Sequence, residues 1–268
     1  MSCSLFCAVF TAFIEYFHSL AGVGTRKKTR TRLMKYAYGF LSLILAGILL
    51  FVIIPGPVDS VPYHPPPPPA LTGVLAPNDD LKQAEILARG VIHGPEDVDV
   101  DGRGRIYGGT RDGKIVRIAK DGTPEIFAKT GGRPLGLHFD GRGNLIVCDA
   151  WKGLLSIDPR GNITTLSAEA EGVPFSLTND LDIDARGIIY FTDASSKFHR
   201  PEYKLDLLEA RPNGRFLSYN PDTKETKELL RGLYFANGVA LSQNEDFALV
   251  NESYRQGNRM IIFEGNRL

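Results

Sequence analysis

A short strand, a tight turn and a second strand recur four times along this chain, and no other feature constrains its fold as much. The clearest copy runs from Thr178-Asn179-Asp180-Leu181-Asp182-Ile183-Asp184 through Gly187-Ile188-Ile189-Tyr190-Phe191-Thr192-Asp193. Leu181 and Ile183 alternate with Asp180, Asp182 and Asp184, the two-residue period of a half-buried strand. Ala185-Arg186-Gly187 makes the turn, and a β-branched and aromatic run follows it. The other copies are 98–107, with Asp101-Gly102-Arg103-Gly104 at the turn; 137–147, with Asp140-Gly141-Arg142-Gly143; and 238–250, with Ser242-Gln243-Asn244-Glu245-Asp246. With Asp101, Asp140, Asp184 and Ser242 taken as equivalent, the intervals are 39, 44 and 58 residues. A period near forty built from short strands belongs to β-propeller blades. The longest interval requires an insertion, and 195–212 supplies one. The unit therefore predicts an all-β body over 78–268 holding about four blades, with Ile106, Ile146, Ile188, Tyr190 and Leu249 turned into its core.

The chain ahead of the body is organised differently. Its 31 basic and 31 acidic residues cancel, so no global charge draws it to nucleic acid. The balance conceals a local asymmetry in which Arg26, Lys27, Lys28, Arg30, Arg32 and Lys35 crowd together with no acid among them. Residues 36–54 then carry no charge. At 1.5 Å per residue that stretch spans about 29 Å, enough for a bilayer core of ~30 Å. It predicts a single transmembrane signal-anchor helix. The basic flank keeps 1–35 cytoplasmic and sends the body to the lumen or the outside, a type II arrangement in the endoplasmic reticulum or plasma membrane. Residues 1–24 are apolar with Glu15 as their charged group; they read as an interfacial or poorly ordered extension, or as a segment acylated at Cys3 and Cys7. Residues 55–77 form a linker in which Pro65 to Pro69 is a stiff polyproline spacer. Asn78-Asp79-Asp80 predicts a capped short helix through Leu87, and Glu85 to Val91 is alternatively a strand closing the propeller. Given that topology, Asn162-Ile163-Thr164 and Asn251-Glu252-Ser253 are glycosylation sequons at Asn162 and Asn251. Cys148, alone in the body, reads as a buried inert thiol.

The residues before the inner strands carry the chemistry. Gly94-Pro95-Glu96 opens the first repeat, Thr178-Asn179-Asp180 the third and Ala236-Asn237-Gly238 the fourth. One carboxylate and two amide carbonyls, from Glu96, Asn179 and Asn237, are the hard oxygen ligands that Ca²⁺ takes. Asn and Asp also precede strands simply as turn formers, so spacing alone leaves both readings open.

Gly94-Pro95-Glu96, Gly132-Arg133-Pro134-Leu135-Gly136-Leu137, Asp149-Ala150-Trp151-Lys152-Gly153-Leu154, Asn179-Asp180-Leu181, Tyr190-Phe191-Thr192-Asp193-Ala194-Ser195-Ser196-Lys197 and Ala236-Asn237-Gly238-Val239-Ala240-Leu241-Ser242 together resemble the strictosidine-synthase-like family, over about residues 71–255. Its relatives include gluconolactonases and paraoxonase lactonases. The resemblance implies a six-bladed propeller with an axial Ca²⁺ held at the positions of Glu96, Asn179 and Asn237. Three departures bear on activity. Leu135 stands where the paraoxonase-like enzymes carry a His serving the hydrolytic base, and Leu cannot accept a proton. His138 lies nearby, but the pleat turns it to the other face. The late-blade Glu of the plant synthases has no counterpart, and the family continues for about two blades beyond Leu268, where a further ligand Asp would lie. The expected function is a membrane-anchored, Ca²⁺-assisted hydrolase of esters or lactones with arylesterase character. The alternatives are a non-catalytic propeller whose 195–212 insertion contacts a lumenal or extracellular protein partner, and a condensing enzyme of the synthase kind.

Overall fold

The computed structural model describes residues 26–263, with side chains from Lys35 onward except Val52. The readings made for residues 1–24, Cys3 and Cys7 included, lie outside the described residues. The chain divides into two units, Met1–Gly56 and Pro57–Leu268.

In the first unit, helix α1 (Arg26–Ile53) takes in the basic run as well as the charge-free stretch, beginning ten residues before the expected start. Lys and Arg are good helix formers, and nothing between Arg26 and Gly39 interrupts them. Pro55 disfavours helical backbone at the residue before it, which ends the helix. Leu43, Ile48, Phe51 and Ile53 are each more than half exposed, so α1 has no single polar face. Among the described residues no helix is long and apolar enough to cross a membrane.

The second unit is all-β and propeller-like. Strands β1 (Val98–Val100), β2 (Ile106–Gly109), β3 (Lys114–Ile118) and β4 (Pro124–Lys129) make the first antiparallel blade. Strands β5 (Pro134–Phe139), β6 (Leu145–Asp149), β7 (Gly153–Ile157) and β8 (Ile163–Ser167) make the second. A two-stranded ribbon, β9 (Glu169–Ala170) with β10 (Val173–Pro174), follows. The third blade is β11 (Thr178–Ile183), β12 (Ile189–Asp193), β13 (Gly214–Asn220) and β14 (Glu225–Leu233). The fourth has three described strands, β15 (Ala236–Leu241), β16 (Phe247–Glu252) and β17 (Gly257–Ile262). Inner strands β1, β5, β11 and β15 lie side by side in that order.

The recurring turn is built as the sequence implies. Asp101 Oδ1 accepts the N–H groups of Arg103 and Arg105, Asp140 Oδ1 those of Arg142 and Asn144, and Asp184 Oδ1 those of Arg186 and Ile188. Ser242 Oγ does the same for Asp246 and Phe247. There the left-handed position falls to Glu245 (φ 56°), where the other three turns carry a glycine. Each blade interface buries a core. Tyr107, Leu137 and Val147 fill the first; Ile146, Phe191 and Leu217 the second; Tyr190, Phe216 and Val250 the third. Of the five expected core residues, Tyr190 and Ile146 are buried, whereas Ile106, Ile188 and Leu249 are half-buried. β12 is buried on both faces, so its neighbour Ile189 goes inside as well.

Two expectations require correction. Residues 78–87 form turns, not a helix: Asn78 Oδ1 accepts only the Asp80 N–H, and the bonds Lys82 N–H to Asp79 O and Ala84 N–H to Leu81 O are single turns. A helix nucleus is costly and needs a packed face, but Leu81 and Ile86 are exposed. Glu85 to Val91 is not a strand either. The 195–212 insertion carries a 3₁₀ turn (Arg200–Glu202) and a short helix α2 (Tyr203–Glu209). Buried Asp206 accepts the Ser195 hydroxyl at 2.6 Å, and Lys197 clasps both oxygens of Glu209 at 2.7 Å.

Candidate functional site

The inner strands start with a shared irregularity. Their pairing with the next strand slips between Pro134 and Leu137 in β5, between Thr178 and Leu181 in β11, and between Ala236 and Val239 in β15. Such bulges re-aim side chains. Leu135, Asn179 and Asn237 sit in these three slips, and Glu96 holds the matching place before β1.

Below the slips, carboxylates satisfy the backbone of the neighbouring blade. Asp97 Oδ2 accepts the Leu137 N–H at 2.9 Å and Asp99 Oδ2 the Phe139 N–H at 2.7 Å. Asp180 and Asp182 do the same for Val239 and Leu241, both at 2.8 Å. An inner edge that faces no further strand would otherwise leave these donors unpaired. The device alternates, because the second and fourth blades place Gly136 and Gly238 where the first and third place Asp97 and Asp180. A Cβ on Gly136 would lie 2.4 Å from Asp180 Oδ1 and 2.7 Å from Asp180 Cα.

Glu96 and Asn237 line one cavity of about 270 Å³, with Asp97, Asp180, Gly238, Asn251 and Ser253 as its other walls. Asn179, next to Asp180, is 5% exposed, and its Oδ1 is buried with no hydrogen-bond partner. Asn237 Nδ2 donates to Ser253 Oγ at 2.8 Å, which leaves its carbonyl oxygen free of that contact. Crowding by protein and repulsion from Asp180 and Asp97 raise the Glu96 pKa to about 6, against the pull of Arg133 and Arg200. Its side chain still reaches solvent along the open side of the cavity, so water moderates that penalty. Burial raises Asp180 to about 6 as well, against the backbone N–H groups of Val239 and Leu181, which favour its charged form, and Asp97 and Asp182 repel it further.

Among the described residues no group of three or more His, Cys, Asp or Glu side chains is placed to hold a metal. A set of one carboxylate and two amides is of another kind: Glu96 and Asn237 share the cavity and have the oxygen chemistry of a hard divalent cation, whereas Asn179 is not among the cavity walls. Leu135 is buried with Ala150, Leu177 and Phe235, against Tyr203 and Leu207 of α2. His138 is half-exposed, and its Nδ1 lies 3.2 Å from Asp99 Oδ2, away from the cavity walls. Cys148 is fully buried, and burial pushes its thiol pKa well up. Asn162 is exposed, its Nδ2 donating to Asp158 Oδ2 at 2.8 Å. Asn251 belongs to the cavity wall, so close that a Cβ on Gly238 would lie 2.9 Å from its Nδ2.

Reading residues singly missed Asp97, Asp180 and Asn251 as members of this site. The signal available for the first two was the alternation of Asp with Gly at one position in successive repeats.

Fold and site together define a propeller-like body whose inner-strand starts gather oxygen donors around one cavity. The strictosidine synthase family model matches residues 179–263, and the strictosidine synthase-like N-terminal model matches 73–118. The chain belongs to the strictosidine-synthase-like family. Strictosidine synthase-like 6 of Arabidopsis thaliana is 39% identical over 198 residues, covering 68% of this chain and 53% of that protein. The adipocyte plasma membrane-associated protein of Mus musculus is 38% identical over 254 residues, covering 87% of this chain and 61% of that one. Its Bos taurus counterpart is 41% identical over 231 residues, covering 80% and 55%. The chain thus spans between about half and two thirds of the length of these relatives. Among solved structures, a gluconolactonase from Xanthomonas campestris superposes with a TM-score of 0.54 at 18% identity, over 66% of this chain and 59% of that one. That likeness concerns the fold.

Proposed function

We propose that the propeller body is a membrane-anchored, Ca²⁺-assisted hydrolase acting on esters or lactones, with arylester substrates as its accessible probes. The observation that carries this reading is the gathering of Glu96, Asn237, Asp97 and Asp180 around one cavity; Asn179, whose buried oxygen has no hydrogen-bond partner, precedes Asp180 in the chain but is not one of the cavity walls. Glu96, Asn179 and Asn237 would hold the ion, and Asp97 and Asp180 would stay on their backbone partners and keep the inner strands in register. When bound, Ca²⁺ supplies polarisation of an ester carbonyl and a lowered pKa for attacking water. Leu135 is buried in an apolar cluster and has no proton to exchange, so turnover should be slow compared with relatives bearing a His there. The full chain in detergent micelles, assayed for arylester hydrolysis with Ca²⁺ and with a chelator, tests the reading. Hydrolysis abolished by the chelator is expected; no hydrolysis in either condition ends it.

Anchoring is part of the proposal. An α-helix apolar on every side belongs in a protein interior or a membrane, and 36–53 has exposed apolar side chains all round. With 1–35 cytoplasmic, the body faces the lumen or the outside. A second reading, a non-catalytic propeller binding a protein partner, is favoured by Leu135 at the base position and by the insertion, where Leu208 of α2 is 65% exposed.

A further inference from the structure

The linker is bonded to the body at one end of the blades. Arg211 Nη2 lies 2.6 Å from the Asp59 carboxylate, Ser60 Oγ donates to Leu208 O at 3.0 Å, and the Val61 N–H donates to Glu209 O at 3.1 Å. Tyr63 then packs on Tyr254, with ring centres 4.8 Å apart. The insertion that holds Leu208, Glu209 and Arg211 follows β12, whose Asp193 pairs with Thr178. Tyr254 follows β16, whose Glu252 pairs with Ala236. All these contacts therefore lie where the inner strands start, the end that holds the Glu96 cavity, of which Ser253 is a wall.

The stretch before this strap is short. Helix α1 ends at Ile53 and Asp59 is already bonded, six residue steps that reach about 22 Å at full extension. The run Pro65 to Pro69 comes after the strap, so it lies beyond the stretch between α1 and the body. Inner strands of six residues place the opposite turns about 20 Å from the strand starts. A tether of this length, attached at the strand starts, favours that end of the body facing whatever holds α1.

The two ends also expose different side chains. At the strand starts Trp151 is 58% exposed and Leu208 is 65% exposed. Ala150, just before Trp151, and Leu207, just before Leu208, both pack in the cluster that includes Leu135 and Tyr254. Lys152 and Lys204 are exposed near them in the chain. The opposite turns expose Arg103, Lys120, Arg142, Arg160 and Lys224. Tryptophan favours the water–lipid boundary, where its ring is buried and its N–H stays wet, and lysine keeps its ammonium at the headgroups while its stem lies on apolar surface. A tethered surface meets its partner at high effective concentration, so a small apolar contact suffices.

We infer that the strand-start end of the body is a lipid-facing surface, with Trp151 and Leu208 entering the headgroup boundary of the bilayer that anchors α1. The inference rests on the anchoring reading, since α1 in a bilayer is what brings lipid within the tether's reach. Molecules that partition into lipid are then delivered to the end of the body that holds the Glu96 cavity.

Trp151 is the one tryptophan of the chain, which makes it a built-in probe. The full chain is placed in phosphatidylcholine nanodiscs, and its emission is read with phosphatidylcholine brominated near the headgroup and, separately, with aqueous iodide. Interfacial tryptophan sits at headgroup level, so the brominated lipid should cut emission about twofold, and iodide should change it little. Two variants in a Trp151→Phe background map the orientation: Leu208→Trp should be quenched by the lipid, and Arg142→Trp, on an opposite turn, by iodide alone. The unsubstituted chain carries the decisive reading, so the test stands if a variant fails to fold. If the chain elutes with the discs but Trp151 is quenched by iodide and not by lipid, or Arg142→Trp is quenched by lipid, the lipid-facing surface is overturned and the anchor stands. Trp151 shielded from both quenchers assigns the surface to protein, a second copy included, and overturns the assignment to lipid. A chain that does not elute with the discs removes the anchoring reading and the inference with it.

Discussion

Asp180 and Gly136 compete for one space, and the glycine yields it. A methyl group at position 136 would meet the Asp180 Cα at 2.7 Å and the Asn179 carbonyl at 2.9 Å, contacts that no rotamer change relieves. Gly136→Ala should therefore cost about 1–3 kcal/mol, typical of overpacking, read as a lower urea midpoint at unchanged slope. The raised pKa values of Glu96 and Asp180, both about 6, set a pH dependence. Their folded pKa values exceed the unfolded ones, so between roughly pH 4 and 6 the native state binds more protons than the unfolded state, and stability declines as pH rises through that window. In chelator, the melting temperature should fall from pH 4.5 to pH 7, and saturating Ca²⁺ should flatten the decline. A profile rising over that range would show that these carboxylates are not desolvated. Ca²⁺ should also raise the melting temperature at pH 7 by mass action. Glu96→Gln, which removes the formal charge, should reduce that rise more than Asn179→Ala, whose carbonyl a water can replace; the opposite ranking would move the ion elsewhere.

Elements here are held by what lies between them. Tyr190 of β12 is 2% exposed and stacks between Phe216 and Phe263, with centroids at 6.1 and 5.3 Å. Tyr190→Ala should cost about 3–5 kcal/mol, as large aromatic truncations do, measured by chemical denaturation. Tyr190→Phe should cost far less, because the hydroxyl reaches Asp184 only at 3.5 Å. The linker is tied down by the insertion: Val61 N–H donates to Glu209 O, Ser60 Oγ to Leu208 O, and Arg211 grips Asp59 through both its carbonyl and its carboxylate. Tyr63 then meets Tyr254 of the fourth blade at 4.8 Å. Arg211→Ala should leave global stability within about 1 kcal/mol, as expected for an exposed ion pair, and speed proteolysis between 57 and 64. Unchanged cleavage would mean that the strap holds without it.

At the scale of the whole molecule, the proposed anchoring puts the blades on the lumenal side of a membrane. Sealed microsomes should protect the body from added protease, and digestion of the blades from the cytosolic side would reverse the topology. A glycosidase-sensitive mass shift should disappear in Asn162→Gln. It should persist in Asn251→Gln, because a glycan on Asn251 would have to occupy the cavity that holds Glu96 and Asn237.

The sequence by itself determined the blades, their turns and the place of the insertion. The turns depend on bonds within about five residues, as in the Asp184 carboxylate holding Arg186 and Ile188, and the strands they join show their alternation in the local sequence. It also indicated Glu96, Asn179 and Asn237 as equivalent positions, because a repeat carries its equivalences along the chain. It overstated the helix at 78–87, where a local cap had no packed face to support it. The tertiary structure alone decided what crosses between blades. Asp97 reaches a donor 40 residues away, Asp180 one 59 away, and Ser60 an acceptor 148 away. No local pattern encodes such contacts, because they depend on which blades stand next to each other and on where the insertion folds back.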